Sequence, residues 1–306
     1  MTGRVLVVGD LATDVLVRPA GPAVPGSDTP ARIRVTAGGQ AANTATWLAH
    51  LGVPVTLVAT TGDDPAGRDR VAELTTAGVG CAVRTVPDAP TGTLVVISGG
   101  GDRTMFSDRG AADRLSPADV TAALDRCPDA RHLHLSGYVL LGSGSRPAGR
   151  HALATAAGRG LTTSVDAAST GPLRQAGPAR FRDWLRGVDL LLATAAEAGA
   201  LAAAPGPEAA AAALAGVATT AVVVKLGAAG ALWAAPDRTV VRGATVPATV
   251  IDPTGAGDAF AAGLLASWLA GAGPAGALAA GARLGAAAVG TVGARPAIPG
   301  GAVPGR

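Results

Sequence analysis

The sequence predicts an α/β fold: a mostly parallel central sheet with helices on both faces and a small β lid over one end. Three observations predict it. Short β-branched runs alternate with alanine-rich stretches of helical length, the pattern of strand–helix–strand units whose right-handed crossovers build parallel sheets. Two proline- and glycine-rich segments, Val15–Val35 and Thr91–Ser107, break that rhythm and contain no good helix. Two glycine clusters, Gly38-Gly39 and Gly255-Ala256-Gly257, lead from extended runs into helices. One domain is expected over residues 1–306, with lid segments at about 15–36 and 91–107.

Taken in order, Arg4–Val8 is an apolar, β-branched run and reads as the first strand. It ends at Gly9-Asp10-Leu11-Ala12-Thr13-Asp14. The segment Val15–Val35 finishes in the alternating Ala31-Arg32-Ile33-Arg34-Val35. A helix is expected over Gly39–Leu51, a strand over Val55–Ala59 and a helix over Asp69–Ala77. Thr91–Ser107 reads as a hairpin: Thr93–Ser98, a turn at Gly99-Gly100-Gly101-Asp102, then Arg103–Ser107. The two irregular segments together form the expected lid; a pair of ordinary surface hairpins is the alternative. Strands then follow at His132–Leu135, Thr162–Asp166, Leu190–Ala193 and Ala221–Lys225. Helices are expected at Pro117–Arg126, Arg146–Arg159, Ala195–Ala203 and Pro207–Val217. The β-branched run Ala244–Ile251 reads as a strand leading into a small-residue helix at Asp258–Ala270. A last helix covers Ala275–Val289, and the tail from Arg295 is expected to be irregular.

Composition narrows the function. Apolar residues make up 48% and charged residues 15% of 306, enough for a sizeable core. The net charge is only +3, there is no basic run, and aromatics are 3%, so a nucleic-acid surface is not expected. No run of about 18 uninterrupted apolar residues exists, and the chain goes straight into a strand; neither a membrane span nor a signal peptide is expected. Cys81 and Cys127 lack metal-like spacing and fit buried thiols in a reducing, cytoplasmic compartment. Lys225 is the single lysine among 25 basic residues, a sign of coding bias.

The chemistry concentrates at strand ends. A glycine-rich turn at Gly255, Ala256 and Gly257 bares backbone N–H groups at a helix's positive end, which suits an anion such as phosphate. Asp258 in the first turn would repel that anion. It makes sense there if it accepts the proton of a hydroxyl attacking the phosphate. In the first cluster, Gly38 and Gly39 permit close approach of a ligand, and Asn43 lies one turn into the helix, facing either a polar ligand or solvent. Asp14, just beyond the first strand, reads equally as a sugar-hydroxyl acceptor or a turn residue. Thr194 and Glu197 form a capping box by spacing; the functional alternative is that Glu197 helps organise hydrated Mg²⁺. Lys225, followed by Gly227, closes a strand where phosphates could be met, or is an exposed strand-end lysine. There is no P-loop, no Gly-x-Ser-x-Gly, and no metal spacing among the histidines.

In this order the pieces resemble the ribokinase-like (PfkB) family of carbohydrate and nucleoside kinases. Gly38-Gly39-Gln40-Ala41-Ala42-Asn43 is similar to its N-terminal signature, and Asp252-Pro253-Thr254-Gly255-Ala256-Gly257-Asp258 to its C-terminal one. The resemblance covers essentially the whole chain. It implies a three-layer sandwich with a β lid and ATP- and Mg²⁺-dependent phosphorylation of a hydroxymethyl group. It implies Asp258 as catalytic base, Gly255, Ala256 and Gly257 as anion hole, and Asp14, Gly38, Gly39 and Asn43 as substrate contacts. Thr194, Lys225 and Gly227 fall at implied nucleotide positions, Glu197 at the indirect Mg²⁺ position, and Asp252 where a monovalent cation, K⁺, is bound. Thr194 replaces the usual Asn of Asn-x-x-Glu, and Pro253 the commoner threonine. The expected partner is a small sugar; an adenosine-type nucleoside is the rival, disfavoured because the lid segments offer only Phe106 as an aromatic platform. A non-catalytic sugar- or nucleotide-binding regulator is the rival from another class. A homodimer through the lid is also expected.

Overall fold

The computed structural model describes residues 3–99 and 102–296. Gly100 and Gly101 of the expected hairpin turn, and the tail beyond Pro296, lie outside the described residues. Along the chain the strands are β1 (Arg4–Val8), β2 (Ala12–Pro19), β3 (Ala31–Gly38), β4 (Val55–Gly62), β5 (Gly80–Val86), β6 (Gly92–Gly99), β7 (Asp102–Asp108), β8 (Ala130–Ser136), β9 (Thr162–Asp166), β10 (Leu190–Thr194), β11 (Ala221–Lys225), β12 (Ala231–Ala234) and β13 (Val240–Gly243). The α-helices are α1 (Gln40–His50), α2 (Pro65–Thr76), α3 (Pro117–Arg126), α4 (Gly137–Leu141), α5 (Arg146–Gly158), α6 (Thr170–Ala176), α7 (Pro178–Trp184), α8 (Ala195–Ala202), α9 (Pro207–Leu214), α10 (Ala256–Leu269) and α11 (Pro274–Val289).

The larger sheet has nine strands in the order β13-β12-β11-β10-β9-β8-β1-β4-β5. It is parallel from β11 to β5, and β12 and β13 add an antiparallel edge. Its inner strands β1, β10 and β11 carry near-continuous apolar runs because helices cover both faces. Val5, Leu6, Val7 and Val8 of β1 are wholly buried, as are Leu190, Leu191, Leu192 and Ala193 of β10. One core lies under α3, α5, α8 and α9, the other under α1, α10 and α11. The four-stranded sheet β3-β2-β6-β7 is the expected lid, beginning at Ala12 rather than Val15.

Several elements depart from the expectation. Ala244–Ile251 is not a strand: among the described residues no strand pairs with it beyond β13, and Val246, Val250 and Ile251 are exposed. A β-branched run past the sheet edge has no ladder to join. The edge strands β5 and β13, the strand β12 next to β13, and the short helices α4, α6 and α7 were not expected; β5 is half-exposed and mixed in composition, and β12 is a four-residue Ala-Leu-Trp-Ala. Cys81 is exposed on β5, not buried. His132 and His134 are fully buried and share Ser164 Oγ at 2.8 and 2.7 Å, a structural network.

Parallel topology brings the carboxyl ends of β1, β8, β9, β10 and β11 to one edge of the sheet. Ser136 pairs with Asp166 and Thr194 with Lys225 across neighbouring strands there. That edge lies beneath the lid, where open α/β sheets bind ligands.

Candidate active site

Helix α10 opens the site. Its N-cap, Gly255, has φ 75°, and a Cβ there would meet the Ala294 backbone at 2.5 Å, so only glycine fits. The Ala256 N–H donates to the Pro253 carbonyl at 3.3 Å. Helix geometry leaves the Gly257 and Asp258 N–H groups without intrahelical acceptors. Asp252 shapes the approach: its Oδ1 accepts from Thr254 N and its Oδ2 from Gly293 N, both at 3.0 Å. Burial opposes the charge on Asp252, but these hydrogen bonds outweigh it and hold the carboxyl below its ordinary range.

Asp258 occupies the first turn of α10, low in the cleft. Its Oδ2 accepts a hydrogen bond from Asn43 Nδ2 at 2.9 Å, so Asn43 faces the site and not solvent. Burial pushes the Asp258 pKa up to about 8, and Asp166 and Asp10 add to the rise; the Asn43 bond and Lys225 offset only part of it. The other end of the Asn43 amide accepts from Arg295 Nε at 3.1 Å, and Arg295 also donates to the Gly38 carbonyl at 2.9 Å. Burial draws Arg295 down to about 10.

Asp14 belongs to lid strand β2, not to the turn after β1. Its carboxylate lies across Gly38, where any Cβ would collide with it. It is buried, its Oδ1 has no hydrogen-bond partner, and burial raises its pKa to about 7 against the pull of Arg295. A buried carboxylate oxygen without a donor is costly, and a hydroxyl-bearing ligand would relieve it. The residue at the end of β1 is Asp10. It accepts from Gln40 N and Ala41 N at 3.2 and 3.3 Å, capping α1, and pairs with Arg109 at 3.5 Å. Gly39, at φ 96°, passes so close to the Asp10 carbonyl that a Cβ would stand 2.5 Å from it.

Lys225 is neither exposed nor free. Its Nζ bonds Asp166 Oδ2 at 2.6 Å, and both side chains are nearly buried. Burial alone would lower the ammonium's pKa; Asp166, Glu197 and Asp258 outweigh it and hold it above the usual range. The same Nζ would stand 3.4 Å from a Cβ on Gly257, which places a positive charge beside the turn. Gly227 opens an exposed one-turn helix at φ 59°. Thr194 and Glu197 form the capping box: Thr194 N donates to Glu197 Oε2 at 2.7 Å, and Glu197 N to Thr194 Oγ1 at 3.3 Å. Burial chiefly, with Asp166, lifts the Glu197 pKa against the pull of Lys225. Among the described residues no cluster of three or more His, Cys, Asp or Glu could hold a metal ion by itself.

The structure therefore brings Asp14, Gly38, Gly39, Asn43 and Asp258 to one side of the cleft. Lys225, Glu197 and the turn at Gly255–Gly257 lie on the other. Arg295, Asp166, Asp10 and Arg109 complete it and were not anticipated. Asp166 closes a strand exactly as Lys225 does, and that signal was available. Arg295 stands in a stretch that carries no pattern at all.

Known proteins are similar to this chain over nearly its whole length. The model of the pfkB family carbohydrate kinases matches residues 2–300. The chain belongs to the pfkB family of carbohydrate kinases. It is 32% identical over 277 residues to an ATP-dependent ribose-1-phosphate kinase of Halopiger xanaduensis, covering 87% of this chain and 85% of that one. It is 33% identical over 230 residues to a 2-dehydro-3-deoxygluconokinase of Thermoproteus tenax, covering 73% and 70%. The adenosine kinase of Sinorhizobium meliloti superposes with a TM-score of 0.85 over 97% of this chain and 96% of that one, at 23% identity, which establishes the shared ribokinase-like fold. This pfkB protein is thus an ATP-dependent phosphotransferase of the carbohydrate-kinase family. Among the described residues no helix is long and apolar enough to cross a membrane.

Proposed function

We propose that this kinase phosphorylates a hydroxymethyl group of a small sugar or sugar-like acceptor, with Asp258 as the general base. The observation that carries the reading is the Asn43–Asp258 hydrogen bond of 2.9 Å. It fixes the one carboxylate of the anion-binding turn toward the side of the cleft where Asp14 waits without a donor. ATP, when bound, supplies the phosphoryl group and departs as ADP. The residues fit it: the first turn of α10 and Lys225 would hold its phosphates. Mg²⁺ would be carried mainly by phosphates and water, with Glu197 acting at a distance.

The chain's own part is positioning and charge. Asp14 and Asn43 orient the acceptor. Asp258 takes the hydroxyl proton as the oxygen forms its bond to phosphorus and the bond to the leaving ADP oxygen breaks. The N–H groups of α10 and the Lys225 ammonium bear the negative charge on the transferring group. The lid excludes water. K⁺ is read as an activator that steadies the loop between Asp252 and Gly293, segments that meet through the 3.0 Å bond. The outward lid rows, Val15 with Val35 and Val17 with Ile33, are apolar and favour a homodimer through the lid. The experiment is ADP release measured over a panel of sugars, sugar derivatives and nucleosides, run beside Asp258→Asn. Turnover with an acceptor that Asp258→Asn abolishes supports the reading. ADP release that no acceptor stimulates refutes it.

A further inference from the structure

The lid carries charges that the reaction as described does not use. In the antiparallel pair β2–β3, Asp14 faces Thr36, Leu16 faces Arg34, and Arg18 faces Arg32. Directly paired residues share a face, and alternate residues along a strand do too. Arg18, Arg32 and Arg34 therefore stand on the same face as Asp14, the face turned to the acceptor side. The opposite face takes the apolar Val15, Val17, Ile33 and Val35.

Among the described residues, Arg109, Arg295 and Lys225 all have carboxylate partners within 4.0 Å, whereas Arg18, Arg32 and Arg34 have none. Arg18 and Arg32 are placed directly across from one another, an arrangement that costs the sheet stability unless an anion lies between them. Arg18 also lies near enough to the active-site turn for its charge to help hold Asp252 ionised, so this face looks down on the cleft and not away from it. Arg34 is two residues outward from the Asp14–Thr36 pair, and Arg18–Arg32 four, about 7 and 13 Å along the strands. A five- or six-carbon chain covers the nearer of these spans, and the long, exposed side chains of Arg18 and Arg32 can reach back along the strands over the rest.

We propose that the acceptor of this kinase is an anionic sugar, whose phosphate or carboxylate is gripped by Arg18, Arg32 and Arg34 while its far hydroxyl lies at Asp258. The inference rests on the reading of Asp14, Asn43 and Asp258 as the acceptor site. The guanidinium forks match both anions bidentately, which lysine would not do. Bridging by the anion removes the repulsion between Arg18 and Arg32, so the acceptor itself draws the lid strands over the cleft and completes the site.

The test compares neutral and anionic acceptors that share a free hydroxymethyl group. Ribose is set against ribose 1-phosphate, and fructose against fructose 1-phosphate; gluconate and 2-dehydro-3-deoxygluconate form the carboxylate arm. kcat/KM from ADP release is expected to favour one anionic arm over the neutral sugars by 100-fold or more, and the better arm identifies the anion. In Arg32→Ala, Arg34→Ala and the double variant, that preference is expected to fall about 10–100-fold, with KM for the anionic acceptor rising and KM for ATP holding. All three arginines are exposed, so the substitutions leave the core intact. A neutral sugar or nucleoside as the best acceptor overturns the inference while the kinase reading stands. So does an arginine substitution that raises KM for ATP and not for the acceptor. If no acceptor of any charge stimulates ADP release, the kinase reading fails and the inference with it.

Discussion

Replacing Asp258 by Asn should slow this enzyme and stabilise it at once. The carboxyl's pKa is raised from 3.8 to about 8, chiefly by burial. The folded state therefore holds a proton that the unfolded state has already lost. Below the unfolded value both states are protonated and the residue costs nothing. As pH rises from about 4 to 8, only the unfolded chain gains the solvated carboxylate, and stability falls. Above about 8 the whole penalty is present. At about 1.4 kcal/mol per pKa unit the upper bound is about 6 kcal/mol, and partial opening to solvent brings the expected cost to about 1–3 kcal/mol. Asn carries no charge, and its carbonyl oxygen keeps an acceptor for Asn43 Nδ2. At about 2–4 °C per kcal/mol for a chain of this size, Asp258→Asn should raise Tm by several degrees at pH 9 and by much less at pH 5. kcat should drop about 10²–10⁴-fold. Calorimetric melts of both proteins from pH 5 to 9, with turnover measured on the same samples, make the check. A Tm difference that does not grow with pH refutes the electrostatic reasoning, and near-normal turnover refutes the role as base. In the unsubstituted enzyme kcat/KM for ATP should climb with pH through a midpoint near 8 and level off above it; a plateau already reached at pH 6 would count against an elevated Asp258.

Further outcomes are expected elsewhere in the cleft. Asp14→Ala or Asn43→Ala should weaken acceptor binding about 10–150-fold with little change for ATP, measured by titration calorimetry; ATP weakened with the acceptor unaffected would reverse the assignment. Lys225→Met strands the buried Asp166 carboxylate 2.6 Å from the lost ammonium, so stability should fall by about 3–5 kcal/mol in denaturant melts and nucleotide affinity should fall with it. Turnover should be higher in KCl than in NaCl or choline chloride at equal ionic strength. Equal rates in all three would leave Asp252 a purely structural clip between Thr254 and Gly293.

How far the sequence reveals these features depends on whether the cause is local. The strands β1, β10 and β11 were legible because burial on both faces demands continuous Val, Leu and Ala, a local pattern. The turns at Gly38-Gly39 and Gly255–Gly257 were legible because close backbone approach demands glycine. The four-residue β12 was lost in an alanine-rich background that makes strands and helices alike. Ala244–Ile251 has strand propensity, but propensity yields no strand without a neighbouring edge. Sequence left Lys225 open between a phosphate contact and an exposed strand-end lysine because its partner Asp166 is 59 positions away. Asp14 was placed near the site for its position after β1, yet it reaches the site from the lid.

The contacts that finish the acceptor side span nearly the whole chain. Asn43 meets Asp258 across 215 residues and Arg295 across 252, Gly38 meets Arg295 across 257, and the Trp47 indole donates to the Ala294 carbonyl across 247. Loops of that size close late, after the locally wired β–α units have formed. During synthesis the first signature helix must therefore wait for residue 295 to leave the ribosome before its asparagine finds its partners. A nascent chain stalled between residues 243 and 258 carries the strands of both sheets but lacks Asp258, so the scaffold precedes the group that would take the acceptor's proton.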